Sequence, residues 1–119
     1  MKAVANEHDL HALVADAGLG GFVAQVSYLH APGLQVLALK DIQPPTNRTA
    51  FDRERALSIL SGVKNEAQLP PIEVERFPDS VGASRTYRLH HGFHRYHLSL
   101  ALGFTHIPAV ERPYFDYEL

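Results

Sequence analysis

Gly92, Phe93, His94 and Arg95 stand where the apolar/polar alternation of Tyr87–His91 gives way to the i, i+3, i+4 spacing of Leu98, Ala101 and Leu102. A strand is therefore predicted to turn into a helix at a glycine. The first N–H groups of a helix have no acceptor within it, and the helix dipole is positive there, so this junction has the chemistry of an anion site. A glycine at that point admits φ > 0 or lets the backbone come close to a ligand. His94 and Arg95 fall in the first turn, where a cation is badly placed for helix stability and well placed to meet a phosphate or carboxylate. The pair reads as ligand-binding.

Eight histidines suggest a second chemistry. His90 or His91, taken with His94 and His97, can be drawn as an imidazole triad for Zn²⁺ or Ni²⁺. Adjacent strand residues such as His90 and His91 point to opposite faces, however, and no carboxylate is near in sequence to orient the rings. No metal site is assigned. His8, His11, His30 and His106 read as surface or capping residues. The chain has no cysteine, which removes disulfides, thiolate metal sites and cysteine nucleophiles.

Several elements must hold the junction in place. Leu10, Leu13, Val14 and Ala17 give residues 6–17 one apolar face, with Gly18 as the C-terminal cap. Residues 22–29 and 35–42 are β-branched and aromatic enough for two strands around Pro32-Gly33, and together they predict a hairpin. Asp52 is the expected N-cap of a helix over residues 52–63 that buries Ala56, Leu57, Leu60 and Val63. Ile72, Val74 and Phe77 alternate with Glu73, Glu75 and Arg76, the pattern of a strand with one solvated face. Residues 78–84 form a loop, and residues 107–111 the last strand. The tail over residues 114–119 is aromatic and acidic.

A chain of 119 residues that is 45% hydrophobic suits one compact unit with a single core. Its formal charge of -2 gives no global pull toward nucleic acid, although Arg85, Arg88, Arg95 and the histidines between them make a local basic patch. The first residues lack the basic and apolar regions of a signal peptide, and no stretch is long and apolar enough for a bilayer. A cytoplasmic location with no membrane contact is the expectation.

Over residues 36–112, roughly two thirds of the chain, the order of parts resembles the ParB/sulfiredoxin superfamily. The marks are Asp41-Ile42-Gln43-Pro44, the helix from Arg53, Leu69-Pro70-Pro71-Ile72-Glu73-Val74, Gly92-Phe93-His94-Arg95-Tyr96, and Gly103-Phe104-Thr105-His106-Ile107-Pro108. The resemblance implies an α+β (α/β) fold, a small mixed sheet packed with helices over residues 35–119. Residues 1–34 would add an N-terminal helix and strand, completing the hairpin. "GFHRY" is similar to the sulfiredoxin "GCHRY" signature and less so to the "GERR" of partition proteins. The catalytic cysteine of sulfiredoxin is Phe93 here, so sulfinic acid reductase activity is excluded.

What the resemblance leaves is a nucleotide cradle. It implies that Gly92, His94 and Arg95 hold phosphates and that Arg55 and Ser58 contribute from the facing helix, with Gly62 standing where sulfiredoxins carry a threonine. ATP or another nucleotide is the implied ligand. Mg²⁺ is a candidate companion, but the acidic residue that helps place it in partition proteins is again Phe93. Phe93 reads either as an anchor closing the pocket or as a ring that stacks on the ligand. The expected function is binding of a nucleotide or other phosphorylated small molecule, with phosphoryl transfer or nucleotide hydrolysis as the chemistry of any catalysis. The alternative is a non-catalytic nucleic-acid- or protein-binding module. The acidic overall charge and the scarcity of aromatics on a basic face disfavour nucleic acid. A homodimer, formed through residues 1–34 or the tail, is a further candidate.

Overall fold

Ile72, Val74, Tyr87 and Leu89 alternate with polar neighbours and are buried, and they build the two strands at the centre of the molecule. The structure is a computed structural model that describes residues 3–4, 7–46 and 50–114. Among these residues the elements in chain order are β1 (Ala3–Val4), α1 (Glu7–Asp16), β2 (Gln35–Ala38), β3 (Ile42–Gln43), β4 (Phe51–Asp52), α2 (Arg53–Glu66), β5 (Ile72–Arg76), β6 (Tyr87–His91), α3 (Phe93–Ala101) and β7 (His106–Arg112).

Five strands form one curled mixed sheet in the order β2-β7-β5-β6-β3. β5 is antiparallel to β6 and parallel to β7, while β2 is antiparallel to β7 and β3 parallel to β6. β1 and β4 make a separate antiparallel pair. Leu10 and Leu13 of α1, Leu60 and Val63 of α2, Leu98 of α3 and Ile107 of β7 share one core. This is an α+β architecture. No helix among the described residues is long and apolar enough to cross a membrane.

Three local expectations are corrected. Residues 22–29 form no strand: residues 22–25 are irregular, and Val26–Leu29 is a 3-10 turn. Phe22 and Tyr28 instead turn inward onto Phe104, with ring centroids 5.7 and 6.0 Å away, and Leu69 N–H bonds Tyr28 O at 2.9 Å. β2 pairs with β7 and takes no strand from residues 22–29, so the expected hairpin does not form. The second expected strand, residues 35–42, breaks at a 3-10 turn over Leu39–Asp41. That break carries the chain from one edge of the sheet to the other, where β3 begins. Thirdly, Glu75 is buried on the sheet face expected to be solvated.

The expected start of α1 at Asn6 and residues 115–119 of the tail lie outside the described residues. α1 does end at Gly18, whose φ of +81° suits a glycine cap, with Leu19 N–H bonded to Val14 O at 2.9 Å. Asp52 caps α2 as its type predicts, accepting from Arg55 N–H at 3.2 Å.

Candidate functional site

The junction between β6 and α3 depends on Gly92, which has φ +114° and ψ 37°. A Cβ there would lie 2.7 Å from Ile72 Cγ2, so it is the floor of the sheet that requires the glycine. Just before it, the pairing of β5 with β6 slips. Val74 faces Leu89 and Glu73 faces His91, which leaves His90 as the extra residue of a bulge. The bulge brings His90 and His91 into the surroundings of the same pair of carboxylates. Both rings favour the charged form of the Glu73 carboxylate, and His90 Nδ1 lies 3.4 Å from Glu75 Oε2.

A cleft of about 150 Å³ opens at this junction. β6 and the start of α3 contribute the residues from Leu89 to Arg95, α2 contributes Arg55 and Ile59, and Pro45 closes one side. Arg55, Gly92, His94 and Arg95 are therefore brought together. Ser58 is not in this cleft. It lines an adjoining hollow of about 370 Å³ that shares Ile59 and Arg95 with the cleft and is bounded on the far side by Pro70 and Pro71. Arg95 thus stands on the divide. Its guanidinium donates to Pro71 O at 2.9 Å, which fixes its position while leaving the other guanidinium N–H groups as potential donors.

His94 is 4% exposed, and its Nε2 accepts from the backbone N–H of Asp52 at 2.8 Å. The imidazole joins the first turn of α3 to the cap of α2 and so sets the distance between the two helix starts. Phe93 is buried, with its ring stacked on Phe51 at a centroid distance of 4.9 Å, and Phe51 also meets His94 and His97 edge-on. Phe93 packs as the anchor of this aromatic cluster. Ser99 is buried because its hydroxyl donates back to Arg95 O at 2.7 Å, one turn earlier.

Along the sheet the charges are paired across strands. Arg88 Nε donates to Glu75 Oε1 at 2.9 Å, its Nη2 reaches the same oxygen, and its guanidinium lies 4.4 Å from the Tyr114 ring centroid. Arg112 donates to Glu73 at 2.8 Å and Arg76 to Glu111 at 3.2 Å. The Arg112 hydrogen bond holds the Glu73 carboxyl below the usual glutamate range, against a smaller opposing effect of desolvation, and Glu111 raises the Arg76 guanidinium. Among the described residues no group of three or more His, Cys, Asp or Glu side chains converges as a metal would require.

Sequence reasoning placed Gly92 at the start of a helix, Arg95 in its first turn and Asp52 as a cap, and the structure has each of them there. Sequence reasoning missed the bond between His94 and Asp52, the Pro71 carbonyl and the Glu75 cluster. The cap signal marks Asp52, but nothing in local spacing says that an imidazole 42 positions later meets it.

No protein-family model and no curated protein sequence matches the chain. Solved structures do share its fold. C-terminally truncated chromosome-partitioning protein ParB from Caulobacter crescentus, complexed with CTP-gamma-S, is 21% identical with a TM-score of 0.53 over 71% of this chain and 46% of that one. The same protein complexed to the centromeric parS site gives 20% and 0.50, over 66% of this chain and 40% of that one. Sulfiredoxin from Arabidopsis thaliana gives 22% and 0.50, over 69% of this chain and 86% of that one. The chain spans less than half the length of the ParB chains it matches. The fold is ParB/sulfiredoxin-like.

Proposed function

We propose that this domain binds a nucleotide or another phosphorylated small molecule in the cleft at Gly92. One observation carries the reading: arginines from two different helices, Arg55 of α2 and Arg95 of α3, line one cleft at the point where both helices begin. Two positive helix ends and two planar, permanently charged donors form the donor set that a phosphate needs. The ParB neighbour complexed with CTP-gamma-S supports a nucleotide as the ligand class.

In this reading Arg95 and Arg55 contact the anion, and Gly92 permits the turn that starts α3. His94 is a positioning residue, because its Nε2 already holds the Asp52 N–H. Ser58 meets the part of the ligand that extends past Arg95 into the adjoining hollow. ATP is one candidate nucleotide, and the reading carries with it a cytoplasmic location. If the bound phosphate is transferred or hydrolysed, the two guanidinium groups stabilise the charge that develops on it. A nucleic-acid surface is the weaker reading, since Arg76, Arg88 and Arg112 are each paired with a glutamate.

Calorimetric titration with a panel of nucleoside mono-, di- and triphosphates tests the proposal. A binding nucleotide raises the melting temperature by mass action. Arg55→Ala, an exposed change, should weaken it by about 2 kcal/mol, the range of a charge-assisted hydrogen bond. Equal affinity in wild type, Arg55→Ala and Arg95→Ala would overturn the reading.

A further inference from the structure

The resemblance to partition proteins implies a Mg²⁺ ion beside the phosphates, placed with help from an acidic residue. The residues of this cleft do not fit that ion. Mg²⁺ is held at protein sites through one or two carboxylates together with the substrate's own phosphates. Among the described residues no carboxylate lines the cleft, whose polar side chains are two guanidinium groups and three imidazoles. The position of the family's acidic residue is Phe93, its ring buried against Phe51.

The neighbouring acids are engaged elsewhere. Asp52 Oδ1 caps α2 through Arg55 N–H at 3.2 Å, and Glu73 accepts from Arg112 at 2.8 Å. Residues 47–49, next to Pro45 in the chain, are Asn, Arg and Thr and bring no carboxylate in sequence.

We infer that the cleft takes its phosphate ligand as the metal-free anion, with Arg55 and Arg95 supplying the positive charge that Mg²⁺ supplies in a carboxylate-lined site. This rests on the phosphate-binding reading above and narrows it. The size of the cleft sets the class of group bound. Its volume of about 150 Å³ is below the ~300 Å³ at which pockets begin to enclose a drug-sized ligand. The cleft therefore encloses a phosphate or diphosphate end, and the organic part lies beyond Arg95. Complexation by Mg²⁺ removes two negative charges from such an end and adds an ion for which the cleft has no carboxylate, so the complexed form binds more weakly.

Inorganic diphosphate is the probe, titrated calorimetrically into the full chain in EDTA and again in excess Mg²⁺. The expected result is binding in EDTA at least as tight as in Mg²⁺, weakened about tenfold or more by Arg55→Ala. Arg55→Lys should recover part of the loss, since it restores the charge without the planar fork. Binding that requires Mg²⁺ and still depends on Arg55 would overturn the metal-free inference while leaving the phosphate site standing. No binding of diphosphate or nucleotide in either buffer, or binding indifferent to both Arg55→Ala and Arg95→Ala, would overturn the site itself and the inference with it.

Discussion

His94 Nε2 accepts a hydrogen bond from the backbone N–H of Asp52 at 2.8 Å, so the cap of one helix is held by a side chain in the first turn of another. A backbone donor at a helix start needs an acceptor when water is excluded, and here the acceptor also ties the start of α2 to the first turn of α3. Because Nε2 accepts here, that nitrogen of the imidazole carries no proton.

His94→Ala removes that acceptor and leaves a void beside Phe51. The expected loss is about 2–4 kcal/mol, from an unsatisfied buried N–H and a large-to-small change in the core. Urea unfolding measures it, and a shift below about 0.5 kcal/mol, as for an ordinary surface site, would contradict the packing described.

Gly92→Ala is expected to destabilise by about 2–4 kcal/mol, combining left-handed backbone strain with overpacking. The new Cβ would sit 2.7 Å from Ile72 Cγ2 and 3.1 Å from Ile72 Cβ. The double variant with Ile72→Ala should lose less than the sum of the single changes, because the second removes the obstructing methyl. Strict additivity would mean that Gly92 is required for φ alone.

Glu75, 2% exposed, is the buried member of the cluster with Arg88 and His90. Glu75→Ala should cost about 2–4 kcal/mol, somewhat below a fully buried pair because Arg88 reaches solvent. Adding Arg88→Met should restore part of that stability, since no charge is then left without its partner. A double variant less stable than Glu75→Ala alone would assign the effect to packing of Arg88 under Tyr114.

Acid titration reads the Glu73–Arg112 pair. The folded pKa of Glu73 is depressed, chiefly by the Arg112 hydrogen bond, so its contribution is present above the ordinary glutamate range and is lost as pH falls through the depressed value. Arg112→Met should flatten that part of the stability curve, and added salt should shrink the difference because the pair is partly exposed. Identical acid limbs in the two proteins at low salt would show that the pair is not formed in solution.

Much of the frame was legible because it depends on short spacings. The buried stripe Ala56, Leu60 and Val63, the cap at Asp52 and the passage through Gly92 follow from periodicity and local chemistry, and each is found in the structure. Residues 22–29 misled because β-branched and aromatic side chains favour a strand only where a neighbouring edge takes it up. Here the outer edge of β2 takes no strand from these residues, and Phe22 and Tyr28 pack their rings against Phe104 instead. Glu75 misled because alternation assigns a residue to a face but does not say what covers that face, which is Arg88 with Tyr114 above it.

The amino-acid order by itself determined where the strand becomes a helix and which cations fall in that first turn, because helix dipoles, caps and glycine torsions act within a few residues. Tertiary structure alone decided what those side chains do. It turned His94 inward onto a helix cap, set Arg95 on the carbonyl of Pro71, and carried Arg55 across from another helix to face it. The physical reason is that the requirement to pair every buried polar group is met by whichever partner folding brings near, and such partners lie tens of residues apart in the chain.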